Sequence, residues 1–287
     1  MGRYEKPRSL DEALALMGED RWRILAGGTD FYPAQGTRPL HDDVLDINGI
    51  RELRGISQTD DEYVFGARAT WTDIIRHDLP PAFDGLKLAA REVGSVQIQN
   101  AGTIAGNLCN ASPAADGVPA LMVLDAEVEL ASVTSARRLP LASFILGNRR
   151  TALQPGEMMT AIRVPKRAAS GRSHFVKLGA RRYLVISIAM AAARVEIDGD
   201  GRVAQAAVAV GACSAVAMRL TALEAALRGH AADASLAQHV LPGHFEALSP
   251  IDDVRAGAGY RREAAREIVT RTLLAALGAR NERSVAA

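Results

Sequence analysis

The chain is 287 residues long, which is enough for two or three domains with hydrophobic cores of their own. Its net charge of +1 gives no electrostatic footprint for nucleic acid or for an anionic membrane surface. Two widely spaced cysteines, Cys109 and Cys213, exclude a disulfide framework and cannot supply the clustered ligands of a zinc or iron–sulfur site. The histidines show no ligand spacing, so we expect no metal site on this chain.

The sequence has no apolar run of the ~18 residues that a transmembrane helix needs. The N-terminal residues 1–7 lack the apolar core of a signal peptide. We therefore expect a cytoplasmic protein.

Residues 1–55 are predicted to form a small β-α-β lobe. Ser9 with Glu12 three residues later is typical of a capping box, and it opens a short amphipathic helix. The apolar run Trp22–Ala26 predicts a buried strand, and Val44–Ile47 predicts a second one.

Residues 56–166 are predicted to form a second lobe. Tyr63–Ala67 has strand composition, and Thr70 is placed to cap the helix that follows. Glu127–Val133 alternates apolar and charged residues, which indicates a half-exposed strand. Arg163–Pro165 closes the lobe.

The C-terminal domain is predicted to cover 172–287, after a polar linker over 166–171. Two strand-like segments flank the turn Asp198–Gly201, which indicates a β-hairpin. Helical periodicity follows over 219–227 and again over 260–277. This outline is a small antiparallel sheet backed by helices.

Two glycine-containing segments carry the functional signal. The first, Ala26-Gly27-Gly28-Thr29-Asp30, directly follows the first predicted strand, and the second is Gly102-Thr103-Ile104-Ala105-Gly106-Asn107. Glycine permits positive φ and has no Cβ, so such segments can present bare N–H groups to an anion. One such segment alone is more often an ordinary turn, but two in this order with these flanks are specific. Neither matches the Rossmann fingerprint or the P-loop of nucleotide-binding ATPases and GTPases.

The two segments, with the residues up to Asp116, resemble the FAD-binding medium subunit of molybdenum hydroxylases. That family includes xanthine dehydrogenase-like and carbon monoxide dehydrogenase-like enzymes. The resemblance continues through Phe175–Arg182 and ends in Ser249–Arg255 and Tyr260–Arg262, so it covers nearly the whole chain. It implies an α+β protein with a two-lobed FAD-binding domain of the vanillyl-alcohol-oxidase/PCMH type and a C-terminal α+β domain.

The resemblance also implies where a noncovalent FAD would bind. The first segment would wrap the diphosphate, and the second would form the other wall of the cradle. Asp116 would reach a sugar or ribitol hydroxyl, the Met159 backbone would lie near the adenine or the flavin, and Lys177 would lie near the isoalloxazine ring. The implied cofactor-binding residues are Ile24, Leu25, Ala26, Gly27, Gly28, Thr29, Asp30, Phe31, Thr103, Ile104, Ala105, Gly106, Asn107, Asp116, Met159 and Lys177. No catalytic residue is assigned.

The chain departs from the family pattern at two positions. Ala105 stands where many relatives have glycine, and its methyl group disfavours positive φ there. Val185 stands where many relatives have an aspartate, three residues after the second arginine of a pair. The second departure leaves the electron acceptor open.

Three further side chains have more than one interpretation. Lys177 either tunes the flavin through its charge or is a strand lysine whose stem packs beside Phe175. Tyr183 either covers the flavin or is a buried strand tyrosine. Whether Tyr183 or Cys109 has a redox role is left open.

The function that the resemblance implies is electron transfer within a larger complex. A small partner subunit would carry two [2Fe–2S] clusters, and a large one would carry molybdopterin and oxidise the substrate. The FAD on this chain would pass the electrons to NAD, a quinone, a carrier protein or dioxygen, in a dimer of heterotrimers. The alternatives are a free-standing FAD-dependent oxidoreductase and a flavin-binding assembly or sensor module without turnover. The substrate is not encoded in this chain.

Overall fold

The first lobe is a small parallel sheet with two helices. In the computed structural model, which describes residues 2–278, β1 (Tyr4–Glu5), β2 (Arg23–Leu25) and β3 (Val44–Asp46) pair in the order β1-β3-β2. Helices α1 (Leu10–Glu19) and α2 (Phe31–Gln35) connect them. The predicted β-α-β arrangement is therefore present.

Two local details of this lobe differ from the sequence prediction. The Ser9 hydroxyl accepts the Glu12 N–H as expected, but the Glu12 carboxylate accepts from the Arg8 N–H instead of closing the predicted box. The predicted buried strand is shorter, and within it only Leu25 is fully buried. The other strand residues are half-buried because this edge of the sheet borders a cleft.

The second lobe is a five-stranded antiparallel sheet covered by short helices. The strands pair in the order β4-β5-β10-β6-β7, and a separate hairpin joins β8 to β9. Their bounds are β4 (Ile56–Gln58), β5 (Glu62–Gly66), β6 (Glu127–Ala131), β7 (Ala136–Pro140), β8 (Ile145–Gly147), β9 (Arg150–Thr151) and β10 (Met158–Pro165). The helices are α3 (Trp71–Arg76), α4 (Asp84–Glu92), α5 (Val96–Ala101), α6 (Ile104–Asn110), α7 (Gly117–Met122) and α8 (Leu141–Phe144).

The C-terminal part contains the small antiparallel sheet and helices that the sequence predicts. Its strands pair in chain order, and the predicted hairpin is closed by Asp198, whose carboxylate accepts the N–H groups of Asp200 and Arg202. The strands are β11 (Arg172–Leu178), β12 (Ala189–Ile197), β13 (Val203–Gly211) and β14 (Met218–Arg219), and the helices are α9 (Thr221–Leu227) and α10 (Ala258–Ala276). The predicted C-terminal boundary at 287 lies outside the described residues.

The segment predicted as a polar linker is instead packed against its neighbours. Lys166–Ala168 forms a 3₁₀ turn, Ala168 is fully buried, and the Ser170 carbonyl accepts a hydrogen bond from Arg194. Arg194 on β12 also donates to the Val123 carbonyl of the second lobe, at 2.9 Å. The division of the chain at 55/56 and 166/172 stays a prediction, because side chains from both sides of these positions share hydrophobic cores.

The sheet of the C-terminal part is buried on both faces. Along β12, Met190 and Ala192 pack into the core of the second lobe, and Ala189, Ala191 and Ala193 pack into the core beneath α10. These alternating small side chains let a helix layer approach each face closely. No helix within residues 2–278 is long and apolar enough to cross a membrane.

One ion pair fixes the turn that leads into β10. Arg137 on β7 donates to both carboxylate oxygens of Glu157, at 2.7 and 2.8 Å. Glu157 also accepts the Gln154 N–H, and Arg137 donates to the Ala152 carbonyl. The Arg137 guanidinium and the Gln154 N–H hold the pKa of the Glu157 carboxyl below its ordinary value of 4.5.

This pair predicts a pH-dependent loss of stability in Glu157→Gln. A carboxyl whose pKa is lowered by folding stabilises the native state above its unfolded pKa, and that contribution is lost as the pH falls through the native pKa. We expect Glu157→Gln to lower the free energy of unfolding at pH 7 by about 1–3 kcal/mol, and we expect the difference from wild type to shrink below pH 4.5. Urea unfolding at pH values from about 3 to about 7 measures this difference. The control is Glu246→Gln, because Glu246 is exposed. An equal deficit at both ends of the range would contradict the assignment.

Candidate functional site

A single large cleft collects most of the residues that the sequence singled out. It has a volume of about 1890 Å³ and runs between the two lobes to the start of the C-terminal sheet. Of the predicted residues, Leu25 and Ile104 are absent from its lining, since both are buried in the protein. The predicted residues that line it are Ile24, Ala26, Gly27, Gly28, Thr29, Asp30, Phe31, Thr103, Ala105, Gly106, Asn107, Asp116, Met159 and Lys177.

The first segment presents unused backbone donors to this cleft. Within residues 2–278, the N–H groups of 27–30 make no hydrogen bond. Gly28 has a φ of +73°, a left-handed conformation that glycine tolerates best, and the Ala26 carbonyl is held by the Asn48 amide at 2.8 Å. A hydrogen bond therefore fixes the start of this segment, and the N–H groups that follow remain free to donate.

The second segment is the beginning of a helix rather than a loop. The Thr103 hydroxyl accepts the Gly106 N–H at 3.1 Å, and α6 begins at the next residue, Ile104. Ala105 lies in the first turn of that helix, where φ is negative for every residue type. The alanine methyl group is therefore compatible with the backbone at this position, because the Thr103 cap makes the segment helical.

The two segments touch each other. A Cβ built on Gly27 would lie 2.0 Å from the Ala101 carbonyl oxygen and 2.9 Å from the Gly102 Cα. Gly27 is thus required by close backbone approach, whereas Gly28 is required by its φ and by the Tyr32 ring beside it. The contact joins the first lobe to the second at the centre of the cleft.

An unsatisfied acceptor lies in the same place. The Asn107 Oδ1 atom is buried and has no hydrogen-bond partner among the described residues. A Cβ on the neighbouring Gly117 would approach this oxygen to 3.2 Å and the Trp71 ring to 2.4 Å. Buried polar atoms are almost always paired in folded proteins. The Asn107 oxygen is an exception, because it is packed beside Gly117 behind the cleft lining.

A buried ion pair forms the far wall of the cleft. The Lys177 ammonium on β11 lies 2.6 Å from Asp116 Oδ2, and both side chains are less than one-tenth exposed. The Ser187 hydroxyl donates to Asp116 Oδ1, also at 2.6 Å. Burial raises the pKa of the Asp116 carboxyl, and the Lys177 charge and the two hydrogen bonds oppose that rise. Lys177 therefore does not extend its charge into solvent beside Phe175, which was the alternative interpretation.

Ser187 is the site residue that sequence reasoning missed. It is a lone hydroxyl within an apolar run, and no motif distinguishes it from a strand serine. Its role becomes visible once the fold brings the segment before β12 against the start of α7.

The remaining candidates differ in position. Met159 lines the cleft from β10, next to a bulge in the pairing with β6. Tyr183 is 70% exposed and lies outside the cleft lining, so it is not a buried strand tyrosine. Val185, between Leu184 and Ile186, makes this stretch of the cleft wall apolar. Cys109 is exposed and lines the cleft from α6.

Comparison with protein families identifies the class. Residues 1–167 match the FAD binding domain in molybdopterin dehydrogenase, and residues 174–276 match the CO dehydrogenase flavoprotein C-terminal domain. The chain therefore belongs to the family of FAD-binding medium subunits of molybdenum hydroxylases, and the predicted resemblance is confirmed.

Individual relatives are similar to this chain in sequence and in structure over most of its length. It is 37% identical to the nicotinate dehydrogenase FAD-subunit of Eubacterium barkeri, over 68% of this chain and 69% of the relative. It is 30% identical to the carbon monoxide dehydrogenase medium chain of Hydrogenophaga pseudoflava, over 95% and 96% of the two chains. The solved carbon monoxide dehydrogenase from that organism superposes with a TM-score of 0.86 at 30% identity, covering 97% of this chain and 98% of that one. Quinoline 2-oxidoreductase from Pseudomonas putida 86 superposes with a TM-score of 0.87 at 27% identity and the same coverage.

The close approach of the two segments predicts that Gly27→Ala impairs FAD binding. The added methyl group meets backbone, which cannot rotate away, so the first lobe must shift from the second. We expect FAD affinity to fall by at least about tenfold, equivalent to ~1.4 kcal/mol. Fluorescence titration of the apoprotein with FAD measures this. Gly259→Ala is the control, because a methyl group there meets open space in the first turn of α10. Equal losses in the two variants would show that the contact does not matter.

Proposed function

We propose that this chain is the electron-transfer subunit of a molybdenum hydroxylase complex and binds one FAD noncovalently in the cleft. Electrons arrive from the [2Fe–2S] clusters of a small partner subunit, and the substrate is oxidised at molybdopterin on a large one. The observation that carries this proposal is the joined pair of segments, where free N–H groups at 27–30 meet the start of α6. The complex is a dimer of heterotrimers in the cytoplasm.

The proposed role of the joined segments is to hold the diphosphate. Four unused N–H groups lie in the first segment. The Thr103 hydroxyl already accepts a bond from Gly106, so its proton is free to donate into the cleft. Hydrogen bonds to a charged group contribute about 1.5–3 kcal/mol each, so this set supports tight binding without a covalent link.

The proposed role of Asp116 and Lys177 is to set the charge beside the flavin. FAD, when bound, supplies a centre that can exchange electrons one or two at a time. Two residues of opposite charge at 2.6 Å form a neutral pair, so this wall adds little net field. The two charges have opposite signs and would lie at different distances from the ring, so their effects on the ring would not cancel completely. The reduction potential therefore depends on keeping both.

The acceptor is proposed to be NAD, a quinone, a carrier protein or dioxygen. Val185 stands where many relatives have an aspartate, and with Leu184 and Ile186 it lines the cleft wall, so an acceptor would meet aliphatic side chains there. The two cysteines of this chain, one on α6 and one buried after β13, cannot hold a cluster. Electron supply is therefore assigned to partner chains.

Purification of the complex from its host tests the proposal. We expect one FAD per chain, released by heat or acid, together with one subunit that holds two [2Fe–2S] clusters and one that holds molybdopterin. The flavin should bleach when the substrate of the large subunit is added. A monomer that oxidises NADH by itself would favour a free-standing oxidoreductase. A monomer that binds FAD without turnover would favour a sensor or assembly module, and a protein that takes up no FAD would refute the site.

A pair of variants tests the charges at the cleft wall. Lys177→Met removes the cation and leaves the carboxylate, which disfavours adding electrons nearby, so we expect a lower FAD reduction potential. Asp116→Asn leaves the cation alone and should raise it. A shift of about 30 mV corresponds to ~1.4 kcal/mol in a two-electron couple, and we expect shifts of at least this size. Spectroelectrochemical titration at about pH 8 measures the FAD reduction potential of both variants. Shifts of the same sign in the two variants would contradict the assignment.

A further inference from the structure

Asp116 occupies a helix N-cap but does not cap the helix. It immediately precedes α7, yet its side chain accepts no hydrogen bond from the first turn. Aspartate at this position normally satisfies one of the free N–H groups there. The carboxylate instead turns to the cleft wall, where it meets Lys177 and Ser187.

Ser187 is built into this arrangement. It is 1% exposed, and its hydroxyl donates to Asp116 Oδ1 at 2.6 Å, while Lys177 binds the other oxygen at the same distance. The three side chains come from the start of α7, from β11 and from the segment that precedes β12. The carboxylate is therefore held at both oxygens by two separate parts of the C-terminal sheet region.

Two acceptor positions of the carboxylate remain available. An ionised carboxylate offers about four lone-pair sites, and Ser187 and Lys177 use two of them. Because Asp116 lines the cleft, the remaining sites can accept a hydroxyl group of a ligand. Glu92 at the end of α4 opposes ionisation of Asp116, and the Arg182 guanidinium lies 3.7 Å from Glu92.

We propose that Ser187 is a positioning residue for FAD binding: its hydroxyl keeps the Asp116 carboxylate ionised and oriented to accept a hydroxyl group of the cofactor. The inference rests on the proposed FAD site and adds a residue to it. Lys177 cannot do this alone, because a single contact at Oδ2 leaves the carboxylate free to rotate about its Cβ–Cγ bond. A hydrogen bond to the charged form also favours that form, which opposes the effect of burial.

The test is the pH dependence of FAD binding to the apoprotein. Asp116 accepts from the cofactor when ionised, so affinity is retained above its pKa and lost as the pH falls through it. In Ser187→Ala that pKa is higher. We expect FAD affinity about tenfold weaker at neutral pH and a loss of affinity that begins about one pH unit higher than in wild type. In the Asp116→Asn background, Ser187→Ala should change neither the FAD affinity nor its pH dependence, because no carboxyl group is left to titrate at this position.

Ser173→Ala is the matched control. Ser173 is also buried, on β11, but its hydroxyl contacts the Ala82 carbonyl and the Gly85 N–H, which lie outside the cleft lining. It should lower thermal stability without changing the pH profile. If Ser187→Ala behaves like Ser173→Ala, or shows the wild-type affinity and pH profile, Ser187 is a structural residue and the inference is wrong. If wild-type apoprotein binds no FAD at any pH, the proposed function fails instead.

Discussion

The structure depends on one backbone contact between two lobes that fold from separate parts of the chain. Gly27 approaches Ala101 and Gly102 so closely that a single Cβ would overlap a carbonyl oxygen. This contact brings the free N–H groups of the first lobe beside the capped start of α6 in the second. Shared hydrophobic residues such as Met158 and Ala131, which pack against α1, hold the lobes in this relation. The missing side chain of Gly27 lets the two segments approach each other at the cleft.

The opposite wall of the cleft is made by charge rather than by backbone. A buried ion pair is costly unless each partner is well satisfied, because desolvation can exceed the Coulomb gain. Here Asp116 binds Lys177 and Ser187, and Lys177 also lies 3.4 Å from the Glu92 carbonyl oxygen. The polar contacts join the second lobe to β11 and to the segment before β12. The position of the C-terminal sheet is thus tied to the cleft wall by two groups that line it, Asp116 and Lys177.

The sequence predicted the order of the elements and the two segments well, since both depend on local signals. Thr70 caps a helix, turn chemistry at Asp198 closes a hairpin, and Gly27 stands where two backbone segments approach each other. The predicted local structure was wrong where contacts between distant parts of the chain determine it. The second segment looked like a loop because glycine and threonine occur in both loops and caps. The resemblance also implies Leu25 and Ile104, which are buried and do not line the cleft, so their role in FAD binding stays a prediction.

Ser187 shows the limit of pattern reasoning most clearly. A serine in an apolar strand-like run carries no periodic or spacing signal, and its partner Asp116 lies 71 positions away. The unpaired Asn107 oxygen likewise has no signal in the sequence, because its burial and its missing partner depend on the folded structure around it. Unsatisfied donors and acceptors weaken a fold unless something binds them. The free N–H groups of 27–30 lie in the cleft lining, so a ligand that accepts from them stabilises the native state by mass action. The donors that would select such a ligand are therefore the ones through which its binding adds to stability.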